Sequence, residues 1–205
     1  MTFYEALDNI LDSKDVNVGG GSASAIAAAM AAGLVGMVAR LSFAKKDKTY
    51  GLNDEEYQNC ADELDKLMEE LKKGAVDDAN AYLSIKNAYT LPKETEEQKT
   101  VRRTAVEDAA VIAATVPLKN AKRAVKILEW ARKLDGYSNS NAASDLNCGK
   151  MLATMAVRGA IFNVAANLSL IKIQSKKEVI EKELVKLQPV ICSTALGEHL
   201  GGNIS

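Results

Sequence analysis

The chain is poor in the residues that most often carry chemistry: one histidine, three cysteines, three prolines and 5% aromatics among 205 residues. Each shortage excludes something. With His199 as the only histidine, near the C-terminal end, Ser-His and Cys-His dyads and histidine metal sites are not expected. No ExxH pair occurs, so a di-iron helical bundle is excluded as well. Cys60, Cys148 and Cys192 are far apart, odd in number and form no CxxC, which argues against a zinc ribbon or a disulfide framework. They fit a reducing compartment, and cytoplasm is the expectation. A formal net charge of -1 gives no footprint for nucleic acid or an anionic membrane. The start, "MTFYEALDNI", lacks the basic end and apolar core of a signal peptide. The uncharged run from Ala23 ends at Arg40 and is mostly alanine, short of the roughly twenty strongly apolar residues that span a bilayer. No membrane partner is expected.

What is abundant points one way. Hydrophobic residues make up 47% and charged residues 26%, with alanine, leucine, lysine and glutamate prominent. Such a chain is soluble, globular and mostly helical. Thr2 with Glu5 reads as a capping box, and Phe3, Leu7, Ile10 and Leu11 as one apolar stripe, so a first helix runs to about Lys14. Glycines then break the chain and a second helix starts near Ser22. Ala25, Ala29, Ala32, Gly33 and Gly36 give it a small face, and Ile26, Met30, Leu34, Met37 and Leu41 a bulky one. Small faces let backbones approach closely, so this is the central helix of a bundle or of a subunit interface.

After the basic connector "SFAKKDKTYGLN", Asn53 caps a long helix through about Tyr89, ended by the turn at Leu91 and Pro92. Thr95 with Gln98 opens another, carrying Val101, Ala105, Ala109 and Ile112; Pro117 is expected to kink or end it, and the next helix reaches Gly136, a natural cap. Beyond "YSNSNAAS" a helix covers about Ser144 to Ile171, and a last amphipathic one begins near Ser175. No strand alternation, internal repeat or low-complexity linker is present. The expected architecture is all-α, one multi-helix bundle domain over 1–205.

Polar residues interrupt apolar faces at three places. In the long third helix the stripe Cys60, Leu64, Leu67, Leu71, Ala75, Asp78, Tyr82, Ile85 contains a carboxylate, whereas Asp77 points elsewhere. A carboxylate on a core face is costly unless paired or used, and such a group acquires a raised pKa suited to acid-base work. A satisfied buried ion pair explains it equally well. Asn163 and Asn167 lie one turn apart on a face with Leu152, Met155, Ala156, Gly159 and Ala166, where two amides can read a heterocycle or simply bond between helices. Ser144 is a candidate cap with Asp145 in the first turn after it. The glycines Gly19, Gly20 and Gly21 with Ser22 match neither GxxxxGK[ST] nor GxGxxG, and Ser24 stands where a third glycine would. They leave exposed N–H groups at a helix start, suited to an anion or a polarised carbonyl, or simply permit close packing.

Three segments, "GGGSASAIAAAMAAGLVGMVARL", "DDANAYLSIKNAYTLPKETEE" and "SDLNCGKMLATMAVRGAIFNVAANL", resemble the cyclodeaminase/cyclohydrolase family in order and separation. That family includes the C-terminal domain of formiminotransferase-cyclodeaminase and stand-alone methenyltetrahydrofolate cyclohydrolases. The resemblance implies an all-helical homodimer with folate sites near the subunit interface. It places Asp78, with Ala81 and Tyr82, in the family's D-x-x-A-[FY] catalytic context. Gly19, Gly20, Gly21 and Ser22 fall on its PGGGS turn, with Val18 in place of the proline. Asn139, Ser144 and Asp145 fall on N-x4-S-D, and Asn163 and Asn167 on NV-x2-N, as residues lining the site. The implied activity is formimidoyltetrahydrofolate cyclodeaminase, with methenyltetrahydrofolate cyclohydrolase and a non-catalytic folate-binding or dimerisation module as alternatives. No metal or redox cofactor is implied, the folate being substrate. A deaminase would take its substrate from a separate formiminotransferase. Lys45, Lys46, Lys93 and Arg102 are candidates to hold the folate's glutamate carboxylates, against the plainer reading of a solvated basic surface.

Overall fold

A computed structural model describes residues 1–43 and 50–187. Six helices follow in order: α1 (Phe3–Leu11), α2 (Gly20–Phe43), α3 (Asp54–Tyr89), α4 (Glu96–Lys133), α5 (Ala143–Leu168) and α6 (Gln174–Val185), with a short 3₁₀ turn at Ser140–Ala142. Among the described residues there is no strand.

The expected helix starts are built as capping boxes. Thr2 with Glu5, Asn53 with Glu56 and Thr95 with Gln98 each exchange side-chain and backbone hydrogen bonds. α1 stops at Leu11 rather than Lys14 because the Asp12 carboxylate takes the Lys14 N–H at 2.9 Å, an Asx turn that competes with the helix. α2 begins two residues before Ser22, its first turn closed by Ala23 N–H donating to Gly19 O at 3.0 Å. Ser144 does not cap α5; Asn139 caps the preceding 3₁₀ turn, accepting from Asn141 N–H at 3.1 Å. Gly136 adopts φ +75°, the left-handed geometry that ends the α4 region.

Pro117 neither kinks α4 into two helices nor ends it. A proline in mid-helix leaves the carbonyl four residues earlier without its donor, and here that carbonyl, Ala113 O, accepts from Asn167 Nδ2 of α5 at 3.0 Å. A side chain 54 positions away replaces the missing N–H, and α4 continues to Lys133.

α2 lies at the centre, packed against α3 and α5 and, less extensively, α4. Its length and mean hydropathy of 1.8 would suit a membrane span, but 72% of that stretch is buried inside the protein, so it serves as the core helix. Ala25, Ala29, Ala32 and Gly36 of the small face are buried and Gly33 is half-buried, while Met30, Met37 and Leu41 of the bulky face are exposed. Two glycines of α5 set the approach of α2 and α5. A Cβ on Gly159 would stand 2.3 Å from Ser24 Oγ, and one on Gly149 2.8 Å from Val35 Cγ2. The pairing of Gly20 with Asn163 at one end and of Leu41 and Ser42 with Asn139 at the other makes the two helices antiparallel. Leu64, Leu71, Ile127, Val35, Val157 and Val164 fill the core between them.

Candidate functional site

One cleft gathers most of the singled-out residues. It lies where the start of α2 meets α3, α4 and the C-terminal half of α5, has a volume of about 290 Å³, and is lined by Asn17, Gly19, Gly21, Asp78, Tyr82, Ala113, Asn163 and Asn167 with Val16 and Ala166. Among the described residues, its only titratable lining groups are Asp78 and Tyr82, and no cation lines it.

Asp78 is held from two sides. Ser22 Oγ lies 3.1 Å from Asp78 Oδ2 and 2.9 Å from Ala75 O, and Ser22 is wholly buried. Its one hydroxyl proton is shared between Ala75 O and Asp78 Oδ2, and its backbone N–H also addresses Asp78, so in this structure Ser22 holds the carboxylate. On the other side the carboxyl group rests on Gly21, where a Cβ would fall within 2.3 to 2.6 Å of Oδ1, Oδ2 and Cγ. Only glycine admits that approach. Burial pushes the Asp78 carboxyl above its ordinary range, and the two Ser22 hydrogen bonds pull it back in part. No opposite charge neutralises it, so the ion-pair reading of Asp78 finds no partner among the described residues.

The other calls divide. Tyr82 belongs to the cleft but not to the core: it is 45% exposed, because a residue four positions on is rotated by about 40° from Asp78 and faces the opening. Asn163 Nδ2 donates to Gly159 O at 2.8 Å, and its amide lies against Gly20, where a Cβ would come within 3.2 Å. Asn167 donates to Ala113 O and Asn163 O. Arg102 points away from the cleft; its guanidinium donates to Tyr89 O at 3.1 and 3.2 Å and stacks on the Tyr89 ring, closing the end of α3. Asn139 is buried and fastens the turn before α5 to the end of α2, through Ser42 Oγ and Leu41 O. Ser144 and Asp145 lie beside it, roughly 29 Å from Asn163 by helical rise, at the far end of the same protomer. Lys45, Lys46, Cys192 and His199 lie outside the described residues. Lys86, which the sequence reading did not single out, lies beside the cleft through Asn17. It continues the face of Asp78 and Tyr82 by one more turn, and its ammonium donates to Asn17 Oδ1 at 3.1 Å on the cleft rim without forming an ion pair among the described residues. The spacing 78, 82, 86 was the signal.

Among the described residues no three of His, Cys, Asp or Glu converge as metal ligands would. A second groove, by Trp130, is lined by Lys126, Lys133, Glu63 and Glu129, and there Trp130 Nε1 donates to Glu63 at 3.0 Å and Lys133 pairs with Glu56.

Known proteins locate this arrangement. The formiminotransferase-cyclodeaminase family pattern matches residues 4–186. A methenyltetrahydrofolate cyclohydrolase of Methylorubrum extorquens is 30% identical over 98% of this chain and 96% of its own length. The formimidoyltransferase-cyclodeaminase of Gallus gallus is 33% identical over 73% of this chain, which spans only 27% of that longer protein. The crystal structure of formiminotetrahydrofolate cyclodeaminase from Thermotoga maritima superposes with a TM-score of 0.78 at 24% identity, covering 94% of this chain and 91% of that one, a likeness of fold. An anchored, unpaired carboxylate in a cleft of amides, on this fold and with these relatives, leads to one conclusion: the chain belongs to the formiminotransferase-cyclodeaminase family of folate one-carbon proteins.

Proposed function

We propose that the chain opens the one-carbon bridge of 5,10-methenyltetrahydrofolate with water, giving 10-formyltetrahydrofolate. The observation that carries the chemistry is Asp78: a carboxylate fixed by Ser22 and Gly21, its affinity for a proton raised by burial, in a cleft that no cation lines among the described residues. The methenyl substrate carries a positive charge shared between N5 and N10, which a lone carboxylate attracts and a cation would repel. The cleft volume of about 290 Å³ suits the bicyclic pterin, with the remainder of the folate outside.

In this reading Asp78 takes one proton from the attacking water as oxygen bonds to the bridge carbon. It hands that proton to N5 as the N5–carbon bond breaks, and the remaining hydroxyl proton leaves to solvent as the formyl C=O forms. Holding carbon and carboxylate together supplies much of the rate. The carboxylate itself suffices for these transfers, and we assign no metal or redox cofactor. The likeness to the Methylorubrum cyclohydrolase over nearly the whole of both chains favours this direction.

The cyclodeaminase names of the chicken and Thermotoga proteins favour a second reading at the same site. There N10 attacks the carbon of the formimino group, which enters protonated as its amidinium; Asp78 carries the N10 proton to the departing NH₂, and ammonia leaves as the methenyl cation forms; a separate formiminotransferase would supply the substrate. Lys86 on the rim is placed for the folate's tail carboxylates under either reading.

We also propose a homodimer. Met30, Met37 and Leu41 of α2 and Met151, Met155 and Phe162 of α5 are exposed large apolar side chains on neighbouring antiparallel helices, and such surfaces mark interaction sites when they are contiguous. Two-fold packing of these side chains would bring the partner's α5 start toward each cleft and reconcile the distant Asn139, Ser144 and Asp145 with a folate site.

A near-ultraviolet time course tests the function. Accelerated loss of methenyl absorption from 5,10-methenyltetrahydrofolate is expected; growth of that absorption from 5-formiminotetrahydrofolate, with ammonia, would give the second reading. Silence with both substrates would overturn the enzyme assignment.

A further inference from the structure

Pro117 is wholly buried in mid-α4, a position where proline ordinarily breaks the helix. Its consequence reaches the cleft. Lacking a donor at position 117, the Ala113 carbonyl takes one hydrogen of the Asn167 amide at 3.0 Å, and Asn163 O takes the other at 2.9 Å. An amide nitrogen has two hydrogens, and here both are engaged. Turning the amide over would set Oδ1 against two carbonyl oxygens, so its orientation is fixed. What Asn167 has left for the cleft it lines is Oδ1, an acceptor.

We infer that Pro117 is a positioning residue for substrate recognition: by withholding an N–H from Ala113 O it locks the Asn167 amide, so that Oδ1 reads an N–H of the substrate's reduced pterin ring. The inference rests on the folate reading above and adds to it a residue that touches no substrate. A proline kept only for packing would have no bearing on affinity. This one gives up a helical bond so that a neighbouring helix can present an acceptor of fixed aim. A site built around a particular hydrogen bond discriminates strongly against ligands that cannot make it.

The test is Pro117→Ala, which supplies a main-chain N–H that competes for Ala113 O and so loosens the amide's hold and the aim of Oδ1. With 5-formyltetrahydrofolate as the calorimetric probe, the dissociation constant is expected to rise about tenfold, the equivalent of one lost neutral hydrogen bond. Asn167→Ala should weaken binding by a similar factor, and the double variant no further. Stability should behave differently. Asn167→Ala lowers Tm because Ala113 O is left without a donor, and adding Pro117→Ala recovers it. In the wild type without ligand, the Asn167 side-chain NH₂ resonances (identified by their loss in Asn167→Ala) should exchange slowly with solvent, and faster in Pro117→Ala. Wild-type affinity in Pro117→Ala, or unaltered Asn167 resonances, overturns the inference alone. A wild-type chain that binds no reduced folate overturns the folate reading and this inference with it.

Discussion

Gly21→Ala is the sharpest perturbation the site offers, because it adds one methyl group against the Asp78 carboxyl to which we assign the chemistry. The new Cβ would meet Asp78 Oδ1 at 2.3 Å, Oδ2 at 2.5 Å and Cγ at 2.6 Å. Ordinary contact needs about 3.5 Å, so either the carboxyl or the start of α2 must retreat by roughly 1 Å. A displacement of that size at a reacting group lowers turnover about 100-fold. Stability should change far less. Overpacking costs about 1–3 kcal/mol, and replacing a helical glycine by alanine returns up to about 1 kcal/mol. The net is about 0–3 kcal/mol, a fall in Tm of at most about 12 °C for a chain of this size. Gly33→Ala is the control on the same helix: its Cβ would lie 3.8 Å from Met68 Sδ, ordinary contact, so it should raise Tm by about 2–4 °C and leave turnover unchanged. Both variants go through the methenyl absorbance assay and thermal unfolding by circular dichroism. If Gly21→Ala turned over like the wild type, or Gly33→Ala lost as much, the contact between Gly21 and Asp78 would not govern catalysis.

Other consequences can be checked on the same protein. Asp78→Asn should abolish turnover yet raise Tm at pH 7. Burial raises the native pKa of Asp78, so its contribution to stability is present below the unfolded value and is lost as pH rises through the folded one. The advantage of the variant should therefore shrink on titration toward pH 4, and a variant less stable than wild type at pH 7 would contradict it. Ser22→Ala removes a donor that favours the ionised carboxylate, so the acid limb of the kcat/KM profile should move to higher pH; a stationary limb would detach Ser22 from the proton chemistry. Lys86→Ala should raise KM several-fold at unchanged kcat, by an amount that falls with added salt. An unchanged KM would place the folate tail elsewhere.

Local chemistry was legible in the sequence, and long-range chemistry was not. Thr2, Asn53 and Thr95 announce helix starts through partners three residues away, and all three boxes form. Asp78 stood out because period 3.6 places it among apolar residues, although no pattern shows that Gly21 would carry its carboxyl group. Pro117 misled because its missing donor comes from Asn167, a tertiary partner that propensity cannot see. Arg102 looked free for a ligand but serves Tyr89 O, and Asn139 fastens two helix ends. Tyr82 was placed on the buried stripe, and its rotation toward the opening depends on where α5 and the Asn17 segment leave space.

The alanine face of α2 has a consequence for selectivity. The helices that wall the cleft are spaced by what stands between them: Ala25, Ala28, Ala29 and Ala32 of α2 are buried with no more than a methyl group each, and Gly149 and Gly159 of α5 give way to Val35 and Ser24. The helix works as a gauge block. Growth of any one of these side chains, even a turn or more from the cleft, would wedge α3 and α5 apart and widen the slot that admits the ring. On the folate reading, the width of the slot is thus governed by residues that never meet the ring, and a methyl group added at one of these alanines is expected to alter which ring it admits.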